Sequence, residues 1–396
     1  MAQALSRRTG RLVTTQETGL TDSLLRPGLR FRDHIGETSP LHRVLILARA
    51  DSTPAGRSLL RQSAYSLASV SPSDWRRAPS STSLGRARHR VTTEDAETLR
   101  AMAKIVADRT ERCGGKHGRS AFAARLADAV SRILTAGASS TAAFRELLAA
   151  TTGLTHLLAM MTCEAGHHGL TQVYFHTALQ LARDAGNRVA YAITLRAMSA
   201  HALQLGHHRQ ALDLADAAVE ISGGQAQGAA AAYLLSQQAV VRALDGQRHA
   251  AIAGLAAAEA QLERASGPEG PFTAYPHAGL AYQRAQALLA LGLSSDALDA
   301  LRESALRRAP ERRRTSALTE HRLGEVLMSC GHLDAACTHW HRFLDHSVGL
   351  RSARIDEALS RLHKTLRPYQ RQRHASAVYE RTRSLMLAVP DPGTVS

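Results

Sequence analysis

Residues 199–218 read SAHALQLGHHRQALDLADAA, with Ser199 seven positions before Gly206, Ala211 five after it and Ala218 twelve after it. Apolar residues recur at helical spacing on both sides of the glycine. A glycine between two such runs suits the residue just past a helix end, where the chain turns through positive φ. It therefore joins two antiparallel helices. The small residues fall where those helices cross, since a bulky side chain there would push the axes beyond ~8–10 Å.

The unit occurs five times, with glycines Gly166, Gly206, Gly246, Gly292 and Gly331 at spacings of 40, 40, 46 and 39. The position seven before holds Ala159, Ser199, Ala239, Ala285 and Gly324, and the position five after holds Thr171, Ala211, Ala251, Ala297 and Ala336. One hairpin cannot bury its own apolar face, so successive hairpins stack into a solenoid. Composition agrees with an all-α chain, because 44% of the 396 residues are hydrophobic but only 4% aromatic. The apolar weight falls on Ala and Leu rather than on the residues that sheets prefer.

Outward from residues 140–345, the flanks differ. Residues 91–139 predict two capping helices: 91–108 opens on threonines and acids, 113–118 (CGGKHG) is a turn, and 119–134 is amphipathic again. Residues 346–396 predict two closing helices, at 351–366 and 375–387 around Pro368, and a tail. Residues 1–90 are rich in Arg, Ser, Thr, Pro and Gly. They are expected to be mostly irregular, with two short helices, and dispensable for folding of the rest.

Charge points the same way as composition. The net +15 is concentrated in residues 1–90, where 15 arginines stand against six acids. Only three of the 49 basic residues are lysine, a coding bias that weakens the reading of each arginine as a phosphate ligand. Weak, sequence-independent attraction to nucleic acid is the expectation. The four cysteines form no C-x-x-C pair, no window offers ~18 consecutive apolar residues, and no leader is visible. These features predict a cytoplasmic protein with no membrane contact, and leave a homodimer open.

Motifs that carry chemistry are sparse. Gly114-Gly115-Lys116 lacks the second glycine and the following Ser/Thr of a phosphate loop, so it reads as an interhelical turn. His167-His168, His207-His208 and the His339/His341 pair are read as exposed turn or surface residues, and Cys330 and Cys337 as small core residues. No nucleophile motif appears. The reading is no enzyme, no cofactor and no metal. What a solenoid offers is a groove lined by the first helix of each hairpin. The candidate ligand-groove residues are His156, Arg196, Tyr233, Ser236, Tyr282, Gln286, His321 and Glu325, taken chiefly ten and six positions before the turn glycines.

The repeat resembles the ~34-residue tetratricopeptide unit, with Phe175 and Trp340 as its aromatic position. That resemblance implies a right-handed superhelix. Residues 165–187, AGHHGLTQVYFHTALQLARDAGN, are similar to a signature block of actinobacterial tetratricopeptide regulators of sporulation and antibiotic production. The matching positions are His168, Gly169, Leu170, Gln172, Tyr174, Phe175, Ala178, Leu179, Leu181, Ala182, Ala185 and Gly186. The resemblance implies a regulator linked to transcription that binds a peptide or protein. Many members carry an N-terminal helix-turn-helix; here residues 15–29 begin like its first helix but meet Gly19 and Pro27. The alternative is an assembly scaffold that never meets DNA.

Overall fold

The computed structural model describes residues 38–67, 75, 90–138, 140–265 and 275–388. Among the described residues, four helices precede the repeats: α1 (Pro40–Ser52), α2 (Pro54–Leu60), α3 (Thr93–Cys113) and α4 (Arg119–Thr135). Five hairpins follow. They are α5 (Thr141–Glu164) with α6 (His168–Asp184), α7 (Arg188–Gln204) with α8 (His208–Ser222), and α9 (Gly228–Leu244) with α10 (Arg248–Glu263). Then come α11 (His277–Ala290) with α12 (Ser294–Leu306), and α13 (Arg313–Ser329) with α14 (Leu333–Ser347). α15 (Ala353–Leu366) and α16 (Arg373–Ala388) close the array. A parallel two-residue bridge, Arg90–Val91 to Gly137–Ala138, is the only extended pairing among the described residues.

The hairpin turns are alike because the same hydrogen bonds close each of them. The five turn glycines have φ between 77° and 84°. The residue after each donates back to the carbonyl five positions earlier, as in His207 to Ala202 and His332 to Leu327, both 2.9 Å. This satisfies carbonyls that a helix end otherwise leaves open. At the crossings the small residues are fully buried, Ala211, Ala251, Ala297 and Ala336 all at 0% exposure. Ser199 donates from Oγ to the Ala211 carbonyl at 2.7 Å, a contact only closely packed helices allow. A Cβ on Gly324 would stand 2.2 Å from the Trp340 indole nitrogen.

Successive first helices pack on one another, α5 on α7, α7 on α9 and α9 on α11. Second helices pack instead against the first helix of the next hairpin, as α6 on α7 and α8 on α9. The packing of helices in adjacent pairs is compatible with a helical repeat. No described helix is long and apolar enough to cross a membrane.

Within residues 1–90 the described stretch is chiefly 38–67. The two short helices exist, but Leu41, Val44, Leu47 and Ala48 of α1 are 0–1% exposed, packed against α4 and α6. Asp51 at the α1 end is completely buried and pairs with Arg119 (Nη2 to Oδ1, 2.8 Å), while Tyr174 donates to it at 3.0 Å. Two elements of the later chain thus depend on this carboxylate. Further on, Gln172 holds the Ser66 backbone through both ends of its amide. The helix-turn-helix reading at 15–29 lies outside the described residues.

The capping helices also differ from a simple hairpin. α3 runs on to Cys113 and lies along α5, whereas α4 packs chiefly on α1. The turn at 114–116 seats against the far end of the array: Lys116 donates its backbone N–H to the Arg351 carbonyl and Arg351 donates to Cys113. Gly114 and Gly115 are needed for that approach, since an added Cβ would meet Arg351 O at 2.3 Å and Glu164 Cβ at 2.5 Å. Lys116, read as an interhelical turn residue, makes an ion pair with Asp356 at 2.6 Å.

Candidate functional site

The first helices bring four of the eight candidate groove residues together. Arg196 of α7 lies flat on the Tyr233 ring of α9, with its guanidinium carbon 3.8 Å from the ring centre, and donates to the Tyr233 hydroxyl at 3.0 Å. Tyr233 meets Tyr275 edge-on at 5.2 Å, and Tyr275 shares a hydrogen bond with Ser236 at 3.0 Å. Tyr282 of α11 continues the row, with Arg308 above its ring at 5.8 Å. Burial pushes the Tyr275 phenol up to about 12 even though both Arg196 and Arg308 draw it down. Arg308 donates to Thr319 and Ser304. Among the described residues neither Arg196 nor Arg308 meets a carboxylate at ion-pair distance.

The other candidates lie apart. His321 and Glu325 sit 3.6 Å from each other on α13, and Glu325 also faces Arg322 and Arg361. His156 is 5% exposed, bonded to Thr194 at 3.2 Å, and burial beside Arg196 pulls its pKa down to about 4. Gln286 is half-buried.

At four of the five positions ten before a turn glycine, the residue is polar for a reason other than the one its pattern suggested. His156, Arg196, Ser236 and His321 are 5, 9, 0 and 3% exposed. Each bonds onto the element that follows its hairpin: His156 to Thr194, Arg196 to Tyr233, Ser236 to Tyr275, and His321 to the Ala358 carbonyl. These side chains form the polar joints between repeats. The half-buried members, Tyr233, Tyr282, Gln286 and Glu325, are open to a ligand, and Arg196, at 9%, is the most exposed of the four joints.

Sequence reading missed an acid–base cluster built around Arg314. Arg314 of α13 donates to Glu111 of α3 (Nε, 3.1 Å) and to Glu164 of α5 (3.0 Å), and Ser352 donates to Glu164. Arg314 is held charged by its two carboxylate partners, and the same arginine draws Glu111 down against its own burial. The cluster joins the first hairpin to the fifth. Its one sequence signal is the arginine-rich run at 307–314.

A second convergence was also missed. Cys163 at the end of α5, His168 at the start of α6 and His201 near the end of α7 bring one ligand atom each to within 4.8 Å of one another. His168 Nδ1 and His201 Nε2 are 3.0 Å apart. The reading of the paired histidines as exposed therefore holds for His208 but not for His168, half-buried here, or for His207, which stacks on Tyr65 at 5.4 Å. Cys337 is buried as expected, whereas Cys330 is exposed; all four cysteines are free thiols. No family model matches this chain, and no curated protein matches it.

Proposed function

We propose that the protein is a non-enzymatic binding protein that takes an extended, acidic peptide or protein segment on the inner face of its repeats. The observation that carries this reading is the row Arg196–Tyr233–Tyr275–Tyr282–Arg308. Two desolvated guanidinium groups stacked on aromatic rings have only neutral hydrogen-bond partners there. A carboxylate from outside would complete them in the fork geometry that arginine favours. Half-exposed Tyr233 and Tyr282 supply flat apolar contact beside them.

On this reading the hairpins wind as a right-handed superhelix, with the first helices on the concave side. The ligand links the chain to transcriptional control of development or secondary metabolism, as the resemblance of residues 165–187 implies. Contact with nucleic acid through this chain is weak and non-specific, and the protein acts in the cytoplasm.

The test is a peptide array probed with wild-type protein and with an Arg196→Gln/Arg308→Gln double variant. Acidic sequences should be enriched by the wild type and lost by the variant, with the melting transition retained. Equal retention by both proteins would overturn the reading. A scaffold role predicts instead that the captured partner is bound across a broad surface, insensitive to these two arginines.

A further inference from the structure

The residues Cys163, His168 and His201 lie where three helix ends of the first two hairpins meet. Each repeat carries a turn in this place, but this one alone among the described residues gathers a thiol and two imidazoles, with the donor atoms within 4.8 Å of one another. Around a tetrahedral zinc ion, donors at ordinary Zn–N and Zn–S distances stand about 3.3–3.6 Å apart. The observed His168–His201 separation of 3.0 Å is close to that, and the sulfur needs a shift of the order of one ångström.

The rings are already fixed in place. His201 takes the Tyr65 ring edge-on at 5.3 Å and lies 6.3 Å from Phe175. Tyr65 is itself locked, 4% exposed and bonded to Gln210 at 2.8 Å. Cys163 and His201 are 8% and 4% exposed, while His168 is half-buried and provides the way in. The sulfur donates a long hydrogen bond, 3.9 Å, to the side-chain amide oxygen of Gln204. The Glu357 charge reaches both Cys163 and His168 from α15. Burial pushes the Cys163 thiol up to about 12, with Glu164 and Glu357 adding to the rise and Arg354 and Arg314 opposing it.

We infer that Cys163, His168 and His201 bind one zinc(II) ion, clipping the first hairpin to the second, with a fourth position left for water or an outside donor. A thiolate with two imidazoles suits this borderline-soft ion, whereas calcium and magnesium require oxygen ligands. On binding, the thiol proton leaves to solvent as the Zn–S bond forms, and the proton shared between His168 Nδ1 and His201 Nε2 moves to the other nitrogen of its own ring, with no redox change.

The full-length chain, stripped with a chelator, is titrated with zinc(II) alone against a competing dye, and separately with cobalt(II) as a spectroscopic reporter. The wild type should bind one zinc tightly, show a thiolate-to-cobalt charge-transfer band, and melt at a higher temperature with zinc. Cys163→Ser and His168→Ala should each weaken zinc at least ~100-fold and remove the thermal shift, and Cys163→Ser should abolish the band. His168 is half-buried at the mouth of the site, so His168→Ala guards against a variant that merely fails to fold. His208→Ala and Cys337→Ser should leave all three readouts unchanged. Zinc bound equally by wild type and His168→Ala, or cobalt binding without the band, would reduce the cluster to a packing contact and overturn the inference.

Discussion

The same pair of residue types, arginine and aspartate, appears in the N-terminal segment and on the repeats, and the two instances behave oppositely. Asp51 and Arg119 meet at 0% and 6% side-chain exposure, 68 residues apart in sequence. Arg209 and Asp213 meet one turn apart on the surface of α8, 83% and 58% exposed. In the first pair each charge has lost its water and depends on the other, on Tyr174 and on Thr162. In the second, solvent does most of the work. Position in the fold, not the chemistry of the pair, decides what it contributes.

Replacing Asp51 by Asn should therefore produce the largest effect, because it strands Arg119 in the core. Breaking one partner of a buried pair costs about 3–5 kcal/mol. Chemical denaturation would show this as a lower midpoint at nearly constant slope. The double variant Asp51→Leu/Arg119→Met should recover part of the loss, since two apolar groups need no partner. If Asp51→Asn melts like wild type, residues 38–67 are an appendage after all and the contrast collapses.

Gly324→Ala tests the repeat side of the comparison. The added methyl would stand 2.2 Å from Trp340 Nε1, so the helices of the fifth hairpin must separate or Trp340 must leave its place. Overpacking of this kind costs about 1–3 kcal/mol, read as a drop in melting temperature. The same change at the exposed turn glycine position would report backbone strain instead, so only the crossing position isolates packing.

These two sites also show what could be read from the chain. Gly324 is visible because the rule that places it, a small residue seven before a turn, is written five times. Asp51 is not, since nothing near it in sequence marks Arg119 and Tyr174 as its partners. The same division runs through the candidate site. Period located the first helices and so Arg196, Tyr233 and Tyr282. It could not tell that His156, Ser236 and His321, each ten before a turn, are used up as joints to the next repeat. Arg308, Tyr275 and Glu111 lie outside the repeat unit, and no period points to them. His168 was legible as a histidine, but its neighbour in the chain, His167, drew attention from its neighbour in space, His201.

His156 gives a smaller, pH-dependent effect. Its folded pKa is about 4, depressed by burial and by Arg196, against ~6.5 in the unfolded chain. Between these values the unfolded state binds the extra proton, so stability falls as pH is lowered from about 6.5 towards 4 and levels off below. The slope from one such group is ~1.4 kcal/mol per pH unit at most. His156→Gln should flatten the stability curve by about one proton in that window while Thr194 keeps a partner. An unchanged slope would mean that the ring titrates freely in the folded protein.

The smallest effect should come from Arg209→Ala. The pair is 3.3 Å apart at i and i+4, but both side chains remain hydrated and hold their geometry only at the cost of rotamer freedom. Exposed helical pairs of this spacing contribute roughly 0.3–0.5 kcal/mol, reduced further by salt. Alanine also has the higher helix propensity, which offsets part of that loss. The expected change in stability is thus under about 0.5 kcal/mol, and should vanish in 1 M salt. A loss approaching that of Asp51→Asn would place Arg209 in a contact that its exposure denies. The burial argument that separates the two pairs would then fail at its weaker end.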